Sequence, residues 1–421
     1  MSRLARIVPV LAALVCGALA GRVLWSPLPD DFIRAESALP AVLVANGTGV
    51  ACTAVVAVVV TAALARRRSI MLVTAAAVIG LLLLVLPDVV RYPSDSAVLL
   101  CSNAIAAGLV LGGASVLAAR DANAQAALAA GTIGAFLMAG AVVDMRRFGA
   151  NDGGWTAYAP LESVETAGVA SPWPVIAAAV LIVLAALLDR RTSWTAHIET
   201  RWLAVATALP VAAFAANWIL IESGARPEWW YPYVGVTVAL VAWLAWQLPG
   251  RDGQVVFAGA AVLAAASGGS QWTSIDWWSL AIPGALIAVG VVAGRRWPVP
   301  VVGFGLLAVT ATASLVTFEA QDVPALAYMF LLPVAAGYTA GSCLPTSAPA
   351  ATVGLALAFT VGIPGVVATA WMVTEQYADY APASVFERSV SLSVPAVLAA
   401  VAVVVVCGVG AWGLQLRSGA R

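Results

Sequence analysis

Short polar breaks divide the chain into fourteen apolar runs, each long enough to cross a membrane as a helix. A membrane-spanning helix needs about 20 mostly apolar residues. Hydrocarbon offers no partner to unpaired backbone groups, so such runs predict helices that satisfy their own hydrogen bonds. The predicted spans are 5–25, 41–64, 69–87, 96–118, 122–143, 173–189, 202–221, 232–248, 253–271, 278–294, 299–317, 325–343, 350–373 and 392–414.

The composition agrees with a protein for which lipid is the solvent. Hydrophobic residues make up 62% of the chain and charged residues 10%, whereas about 25% of a typical soluble domain is charged. A soluble core could not enclose this much apolar surface. We therefore expect an all-α, polytopic integral membrane bundle that forms one membrane domain over 1–421. No separate soluble domain is expected, and the longest outer loops are 144–172 and 374–391.

The arginines predict the orientation. Lysine is absent, so all 21 basic residues are arginine. With the N-terminus in the cytoplasm, fourteen of them fall in cytoplasmic segments and seven outside. Because cytoplasmic loops are enriched in Lys and Arg, this ratio predicts that both termini are cytoplasmic. The cytoplasmic set is Arg3, Arg6, Arg66, Arg67, Arg68, Arg120, Arg190, Arg191, Arg201, Arg251, Arg295, Arg296, Arg417 and Arg421.

The first run has a second interpretation, as a secretory signal. Arg3 and Arg6 precede an apolar stretch that ends in Ala18 and Ala20, a pattern typical of a cleavage site. The run continues through Trp25, past that site, which favours a retained helix. Enrichment in alanine, valine and arginine without lysine is typical of a GC-rich genome. We therefore expect the cytoplasmic (plasma) membrane of a GC-rich bacterium.

Residues that catalyse reactions or bind metals are scarce. The single histidine, His197, lies in a predicted cytoplasmic connector without partners at metal-ligand spacing. The five cysteines form no C-x-x-C pair, and a chain without lysine cannot supply a nucleotide-binding P-loop. The sequence therefore predicts no metal, no cofactor and no nucleotide site. At a net charge of +0 it predicts no nucleic-acid partner, which leaves the lipid bilayer and other membrane proteins as expected partners.

Ionisable residues avoid the centres of the predicted spans. Arg22, Asp144 and Glu222 lie at outer ends, where their side chains can reach the membrane surface. Proton-coupled carriers generally need a carboxylate or histidine relay at depth, so this pattern disfavours a proton antiporter. The loop from Ala65 to Ser69 also lacks the glycine and aspartate that the 14-helix drug exporters of the major facilitator superfamily carry there.

Small and uncharged polar residues within the spans indicate how helices pack. Glycines four residues apart, Gly17 with Gly21 and Gly108 with Gly112, predict close helix approach. We interpret the polar residues as interhelical hydrogen bonds, each worth about 0.6 kcal/mol. They are Asn46, Thr48, Asn103, Asn217, Thr310 and Thr312.

Two predicted spans, 325–343 and 350–373, are interrupted near their middles by proline and glycine. Proline removes a backbone donor and glycine loosens a helix, so backbone groups there can face a polar cavity. In 325–343 the breaker is Pro333, with Gly337 following. We therefore place the candidate substrate pathway at Pro333, Gly362, Pro364, Gly365 and the polar Asn217.

Three functions fit these features. The first is a carrier or flippase-like permease rather than an enzyme, because many short-looped spans with breaks suit alternating access. The second is a polytopic glycosyltransferase that uses a lipid-linked sugar on the outer face, with Asp30 and Asp31 as catalytic or metal-binding candidates. The third is a non-catalytic membrane subunit of an envelope complex. No repeat between the two halves is visible in the sequence. An internal repeat in the structure would favour the carrier, an outward cavity at the acidic pair the enzyme, and a solid interior the subunit.

Overall fold

The computed structural model describes ten stretches of the chain and isolated positions between them. The isolated positions lie within 203–219 and at 315, 352, 354 and 355. Secondary structure in this part of the chain is helical and contains no strand. The stretches are 3–25, 46–67, 69–90, 96–119, 121–149, 172–188, 230–267, 280–313, 326–346 and 394–419.

The described residues form twelve α-helices and one π-helix, the latter at Ala327–Leu331. Five of them (α1, α2, α4, α5 and α12 below) are long and apolar enough to cross a membrane. The α-helices are α1 Arg3–Trp25, α2 Asn46–Arg67, α3 Ile70–Val90, α4 Ser96–Ala118, α5 Ala122–Gly149, α6 Pro172–Leu188, α7 Trp230–Gln247, α8 Arg251–Ser267, α9 Ala281–Arg296, α10 Pro300–Ala313, α11 Leu332–Ser342 and α12 Val394–Gly419.

These helices coincide with twelve of the fourteen predicted spans, which confirms an all-helical, multi-pass membrane protein. The other two predicted spans, 202–221 and 350–373, fall mostly outside the described residues. The largest difference at a helix end is in α5, which continues to Gly149 instead of ending at 143. Arginine and methionine are good helix formers, so the apolar run ends there but the helix does not.

The chain folds as two compact units, each of which packs mainly on itself. Unit 1 comprises Met1–Thr195 and Gln271–Ala285, and unit 2 comprises Ala196–Ser270 and Leu286–Arg421. Helices α1 to α6 belong to unit 1, whereas α7, α8, α10, α11, α12 and α9 from Leu286 onward belong to unit 2. The single membrane domain stays a prediction.

Helix pairing in unit 1 follows a repeat of three helices. Helix α1 packs on α4, α5 and α6, helix α4 packs also on α2 and α3, and α3 packs on α6. If the labels α1, α2 and α3 are exchanged with α4, α5 and α6, the same pairs result. For example, α1 with α5 becomes α4 with α2, and α1 with α6 becomes α4 with α3. Consecutive spans run in opposite directions, so α1 and α4 are antiparallel and the repeat is an inverted one. Helices α1 and α4 have the most partners and form the centre of the unit.

Unit 2 repeats most of this pairing scheme. Helix α8 packs on α11 and α12, helix α11 packs on α9 and α10, and α10 packs on α12. Among the described residues, α8 also packs on α10, whereas the equivalent helices of unit 1, α1 and α3, make no comparable contact. Helices α8, α9, α10, α11 and α12 therefore correspond to α1, α2, α3, α4 and α6. Gly354, one of the few described residues of the predicted span 350–373, lies against Val255 of α8. Helix α7 packs on α8 and α12 and has no counterpart among the described helices of unit 1.

Glycines bring the backbones of α1 and α5 together. A Cβ atom added to Gly21 would overlap the carbonyl oxygen of Thr132, and one added to Gly131 would overlap that of Leu14. Gly17 faces the carbonyl of Leu128 in the same way. The close approach predicted from the pair Gly17 and Gly21 is thus confirmed, and membrane helices use such small residues to gain packing contacts.

Candidate substrate pathway

The structure describes one of the predicted pathway residues, Pro333, which is buried. The other predicted site residues lie outside the described residues. They are Asn217, Gly362, Pro364 and Gly365 of the pathway, and Asp30 and Asp31 of the alternative enzyme site.

Pro333 lies where the π-helix meets α11. The ring of a proline within a helix clashes with the carbonyl four residues earlier, which a wider π turn relieves. Accordingly, the Leu332 N–H donates to the carbonyl of Ala327, five residues back. The predicted break therefore exists as a change of helix pitch, since helical structure continues through Pro333 into α11.

The length of α11 predicts that the π turn lies near the middle of the membrane. Helix α11 ends at Ser342, and one turn earlier the Tyr338 hydroxyl donates to the carbonyl of Trp297 in the connector after α9, at 2.7 Å. Pro333 precedes Ser342 by nine residues, or about 14 Å at the rise of an α-helix. A hydrocarbon core of about 30 Å places this depth close to its centre.

Helix α11 is buried within unit 2 by reciprocal glycine contacts with α9. A Cβ atom on Gly290 would overlap the Val334 carbonyl, and one on Gly294 the Tyr338 carbonyl. Gly337 and Gly341 face α9 carbonyls in return. The interpretation of Gly337 as a helix-loosening residue is therefore wrong, because it lies in regular helix at a point where only a hydrogen fits.

Helix α4 is the counterpart of α11 in unit 1. Gly108 and Gly112 face α2 as Gly337 and Gly341 face α9. When Gly108 and Gly112 are aligned with Gly337 and Gly341, Asn103 falls one position before Pro333. The Asn103 side chain is only 1% exposed. The central helix of each unit thus departs from plain apolar helix at an equivalent position, by a buried amide in α4 and by a π turn in α11. The sequence interpretation gave Asn103 a packing role, and the repeat adds it to the candidates.

Most threonine hydroxyls bond within their own helix. Thr310 donates to the Leu306 carbonyl at 2.9 Å and Thr312 to the Val309 carbonyl at 2.8 Å. The interhelical bonds predicted for these two residues are therefore wrong, since a carbonyl three or four residues back is always within reach of a helical threonine.

Other polar side chains do join helices. In unit 2, Gln254 Nε2 of α8 donates to the Ala411 carbonyl of α12 at 3.0 Å. In unit 1, Thr61 Oγ1 of α2 lies 2.7 Å from its own Ala57 carbonyl and 3.4 Å from the Gly112 carbonyl of α4. The sequence analysis singled out neither side chain.

A buried carboxylate lies at one end of unit 2. Asp252 lies in the first turn of α8 and is 5% exposed. Its Oδ1 accepts hydrogen bonds from the backbone N–H and the hydroxyl of Thr346, the latter at 2.8 Å. These bonds tie the start of α8 to the segment after α11. Among the described residues, no group of three His, Cys, Asp or Glu could hold a metal ion.

A small hollow of about 20 Å³ lies in unit 1 between α1, α4 and α6. Its walls include Pro9, Cys16, Ala114 and Ile182. A water molecule in such a space needs two to four polar partners, and these side chains are apolar. The hollow is a packing void and carries no chemistry.

Comparison with solved structures identifies the fold. A double-tryptophan mutant of XylE matches with a TM-score of 0.51 at 12% identity, over 97% of this chain and 94% of that one. A second structure is of XylE bound to 6-bromo-6-deoxy-D-glucose, described as a major facilitator superfamily proton:xylose symporter. It matches with a TM-score of 0.48 at 11% identity, over 98% of this chain and 95% of that one. The xylose transporter XylE from E. coli, partially occluded and inward open, matches at 0.44 and 14% identity, over 97% of each chain. No protein-family model and no curated protein sequence matches this chain. The first match shows that the chain shares the helical fold of XylE.

Proposed function

We propose that the protein is a multi-pass carrier of the bacterial cytoplasmic membrane that moves a small solute by alternating access. The observation that carries this proposal is the helix-pairing scheme, which is an inverted repeat in unit 1 and most of which recurs in unit 2. Transporters built from such repeats work by rocking one repeat or bundle against another around a site near the midplane. The shared fold with XylE supports the same function.

The candidate residues of this proposal are Asn103 on the central helix α4 of unit 1 and Pro333 at the start of the central helix α11 of unit 2. An amide both donates and accepts hydrogen bonds, so Asn103 suits a polar, uncharged solute. Pro333 offers no N–H to the preceding turn, which lets that segment change pitch during transport. The spans 202–221 and 350–373 would supply the remaining predicted residues.

The substrate is proposed only as a class, a solute without net charge. The sequence places no charged residue near the middle of a span, so a charged solute would find no counter-charge there. For the same reason we propose that transport is not coupled to protons. We do not propose xylose or a glucose analogue, the ligands named for XylE, as substrates of this protein, because a match at 12% identity shows only a shared fold.

Distance measurements between spin labels test alternating access without a known substrate. One pair joins the predicted cytoplasmic ends of the units, at Arg67 and Arg296, and the other joins the outer ends, at Leu86 and Val394. All four side chains are exposed. In lipid nanodiscs we expect two distance populations for each pair, one for each conformation of the carrier. When a change of conditions favours one conformation, the distance at the cytoplasmic ends should increase as the distance at the outer ends decreases, or the reverse. A single population at both ends would exclude a rocking carrier.

Two controls sharpen this test. Labels at Arg67 and Asp121, both within unit 1, should give one unchanging population. The inner and outer populations should also not respond to pH between about 5 and 8, the range in which histidine and perturbed carboxylates titrate. A pH response would overturn the absence of proton coupling while leaving the carrier in place.

A complementation experiment addresses the enzyme alternative. If the protein were a glycosyltransferase using Asp30 and Asp31, replacing both with asparagine would remove the catalytic base or metal ligand. We expect the double variant Asp30→Asn/Asp31→Asn to complement a deletion strain fully. Loss of complementation with normal membrane expression would favour the enzyme.

A further inference from the structure

Side-chain hydrogen bonds tie the first turn of α8 to two distant parts of unit 2. The Asp252 carboxylate accepts hydrogen bonds from the backbone N–H and the hydroxyl of Thr346, 94 residues further along the chain. Gln254 Nε2 donates to the carbonyl of Ala411 in α12 at 3.0 Å. Both side chains of α8 are buried. The start of α8 is therefore bonded to the segment after α11 and also to α12.

Two further bonds at the same end reach the other helices of unit 2. The Tyr338 hydroxyl of α11 donates to the carbonyl of Trp297, in the connector between α9 and α10, at 2.7 Å. Arg417 Nη1 of α12 donates to the carbonyl of Trp246, in the last turn of α7, at 3.2 Å. The four bonds therefore reach each described α-helix of unit 2 or the connector beside it.

Asp252 occupies a particular place among these four bonds. Gln254 and Arg417 join α7, α8 and α12 into one group, and Tyr338 joins α11 to the connector between α9 and α10. Thr346 directly follows the end of α11, so its bonds to Asp252 join the first group to the second. A carboxylate forms stronger hydrogen bonds than a neutral acceptor, and the first turn of a helix stabilises negative charge.

We propose that Asp252 anchors a clamp, made of these four bonds, through which the predicted cytoplasmic end of unit 2 moves as one body. Close packing supports the clamp, since a Cβ atom added to Gly253 would overlap the Ala245 carbonyl of α7 and approach the Leu414 side chain of α12. A rocking carrier needs each bundle to move as one piece. This consequence for transport rests on the proposed function, whereas the clamp itself does not.

Hydrogen–deuterium exchange of the purified protein, followed by mass spectrometry, tests the clamp without a known substrate. Asp252→Ala removes the acceptor of Thr346, and hydrogen bonds to charged groups are strong enough that we expect local amide exchange to rise at least about tenfold. The increase should extend to 294–299 and 410–418, whose bonds to Tyr338 and Trp246 do not involve Asp252.

Two outcomes of this experiment would overturn the clamp. An increase confined to Thr346 and its neighbours would show that Asp252 acts only on that segment. Faster exchange throughout unit 2, including the start of α12 at 394–400, would show a general loss of stability instead of a loosened end. If the spin-label distances exclude rocking while the exchange result holds, the clamp stands and the carrier function fails.

The matched control removes a buried hydrogen bond that joins no helices at the same end of unit 2. The Ser342 hydroxyl donates to the Thr339 carbonyl within α11 at 3.0 Å. Ser342→Ala should therefore leave exchange in 410–418 at the wild-type rate, and an increase equal to that of Asp252→Ala would contradict the clamp.

Thr346→Val keeps the proposal testable if Asp252→Ala does not fold. This variant removes the hydroxyl bond and retains the backbone bond to Asp252. We expect a smaller increase in exchange over the same segments as for Asp252→Ala. Wild-type exchange in 410–418 of Thr346→Val would overturn the clamp.

Discussion

Units 1 and 2 share most of their helix pairs but build one of those pairs in different ways. The pair α2–α4 of unit 1 corresponds to α9–α11 of unit 2. In unit 2 both helices contribute glycines, and each glycine faces a backbone carbonyl of the other helix. In unit 1 the two glycines are on α4, and at Gly108 the nearest atoms belong to the Val56 side chain. Equivalent helices therefore pair in both units although different residues form the contacts.

This difference teaches where each unit tolerates change. A backbone carbonyl cannot move without shifting its helix, whereas a valine side chain can change rotamer or be shortened. Close packing in membranes relies on such small-residue interfaces, because lipid tails are as apolar as the side chains themselves. We therefore expect the α9–α11 contact to be the least tolerant of added volume.

The largest effect is expected from Gly337→Val/Gly341→Val in α11. The new side chains would meet the carbonyls of Ile287 and Val291 and force α9 away. Overpacking costs about 1–3 kcal/mol per site and more where nothing can yield, so we expect little folded protein by size-exclusion chromatography in detergent. Gly305→Val is the control, because no atom lies within 4 Å of a Cβ added there. Wild-type behaviour of the double variant would contradict the reciprocal contact.

A smaller effect is expected from Gly108→Ala in α4 of unit 1. An added Cβ would lie 2.7 Å from Val56 Cβ and 3.0 Å from the Thr53 carbonyl, so the cost should be about 1–2 kcal/mol. Thermal unfolding in detergent should show a lowered midpoint that Val56→Ala largely restores. Failure of this second change to restore the midpoint would show that backbone, and not side chain, limits the approach in unit 1 as well.

The comparison also shows why sequence predicted the spans but not their partners. Apolar runs predict helices because hydrocarbon demands internal hydrogen bonds, and the spacing of Gly17 and Gly21 correctly predicted a close approach. Nothing in that spacing names α5 as the partner, since any small surface fits a glycine pair. The repeat was invisible in the sequence because it lies in which helices pair, and different residues form the equivalent contacts.

The candidate pathway was predictable only in part for a related reason. Proline at 333 predicted an interruption because its ring excludes the usual hydrogen bond. The sequence alone does not predict whether the helix breaks or widens into a π turn, because packing around the neighbouring turn decides how far that turn can widen. Asn103 became a pathway candidate only through the equivalence of α4 and α11. Threonines such as Thr310 misled because their preferred acceptor lies in their own helix.

A third prediction concerns the π turn that distinguishes α11 from α4. Pro333→Ala restores a donor and removes the ring, so the segment should return to regular α-helix. We expect a change of less than about 1 kcal/mol in stability, but one dominant population in place of two in the spin-label distances. Ala104→Pro at the equivalent level of α4 is the reciprocal variant, and it should disturb unit 1. Unchanged distance populations in Pro333→Ala would remove the π turn from the transport cycle.

The smallest expected effect separates bonds between helices from bonds within them. Gln254→Leu removes the α8–α12 hydrogen bond of unit 2 and should lower stability by about 0.6 kcal/mol, the average for such bonds in membranes. Thr61→Val in unit 1 should cost less, because its 3.4 Å approach to the Gly112 carbonyl is secondary to a 2.7 Å bond within its own helix. Thr310→Val, which loses only a bond within α10, is the baseline and should leave the unfolding midpoint unchanged. Thermal unfolding of the three variants in one detergent should rank the loss of stability as largest for Gln254→Leu, smaller for Thr61→Val and smallest for Thr310→Val. An equal loss at Thr310 and Gln254 would mean that the bond to Ala411 adds nothing to the pairing of α8 with α12, which glycine and alanine packing would then maintain alone.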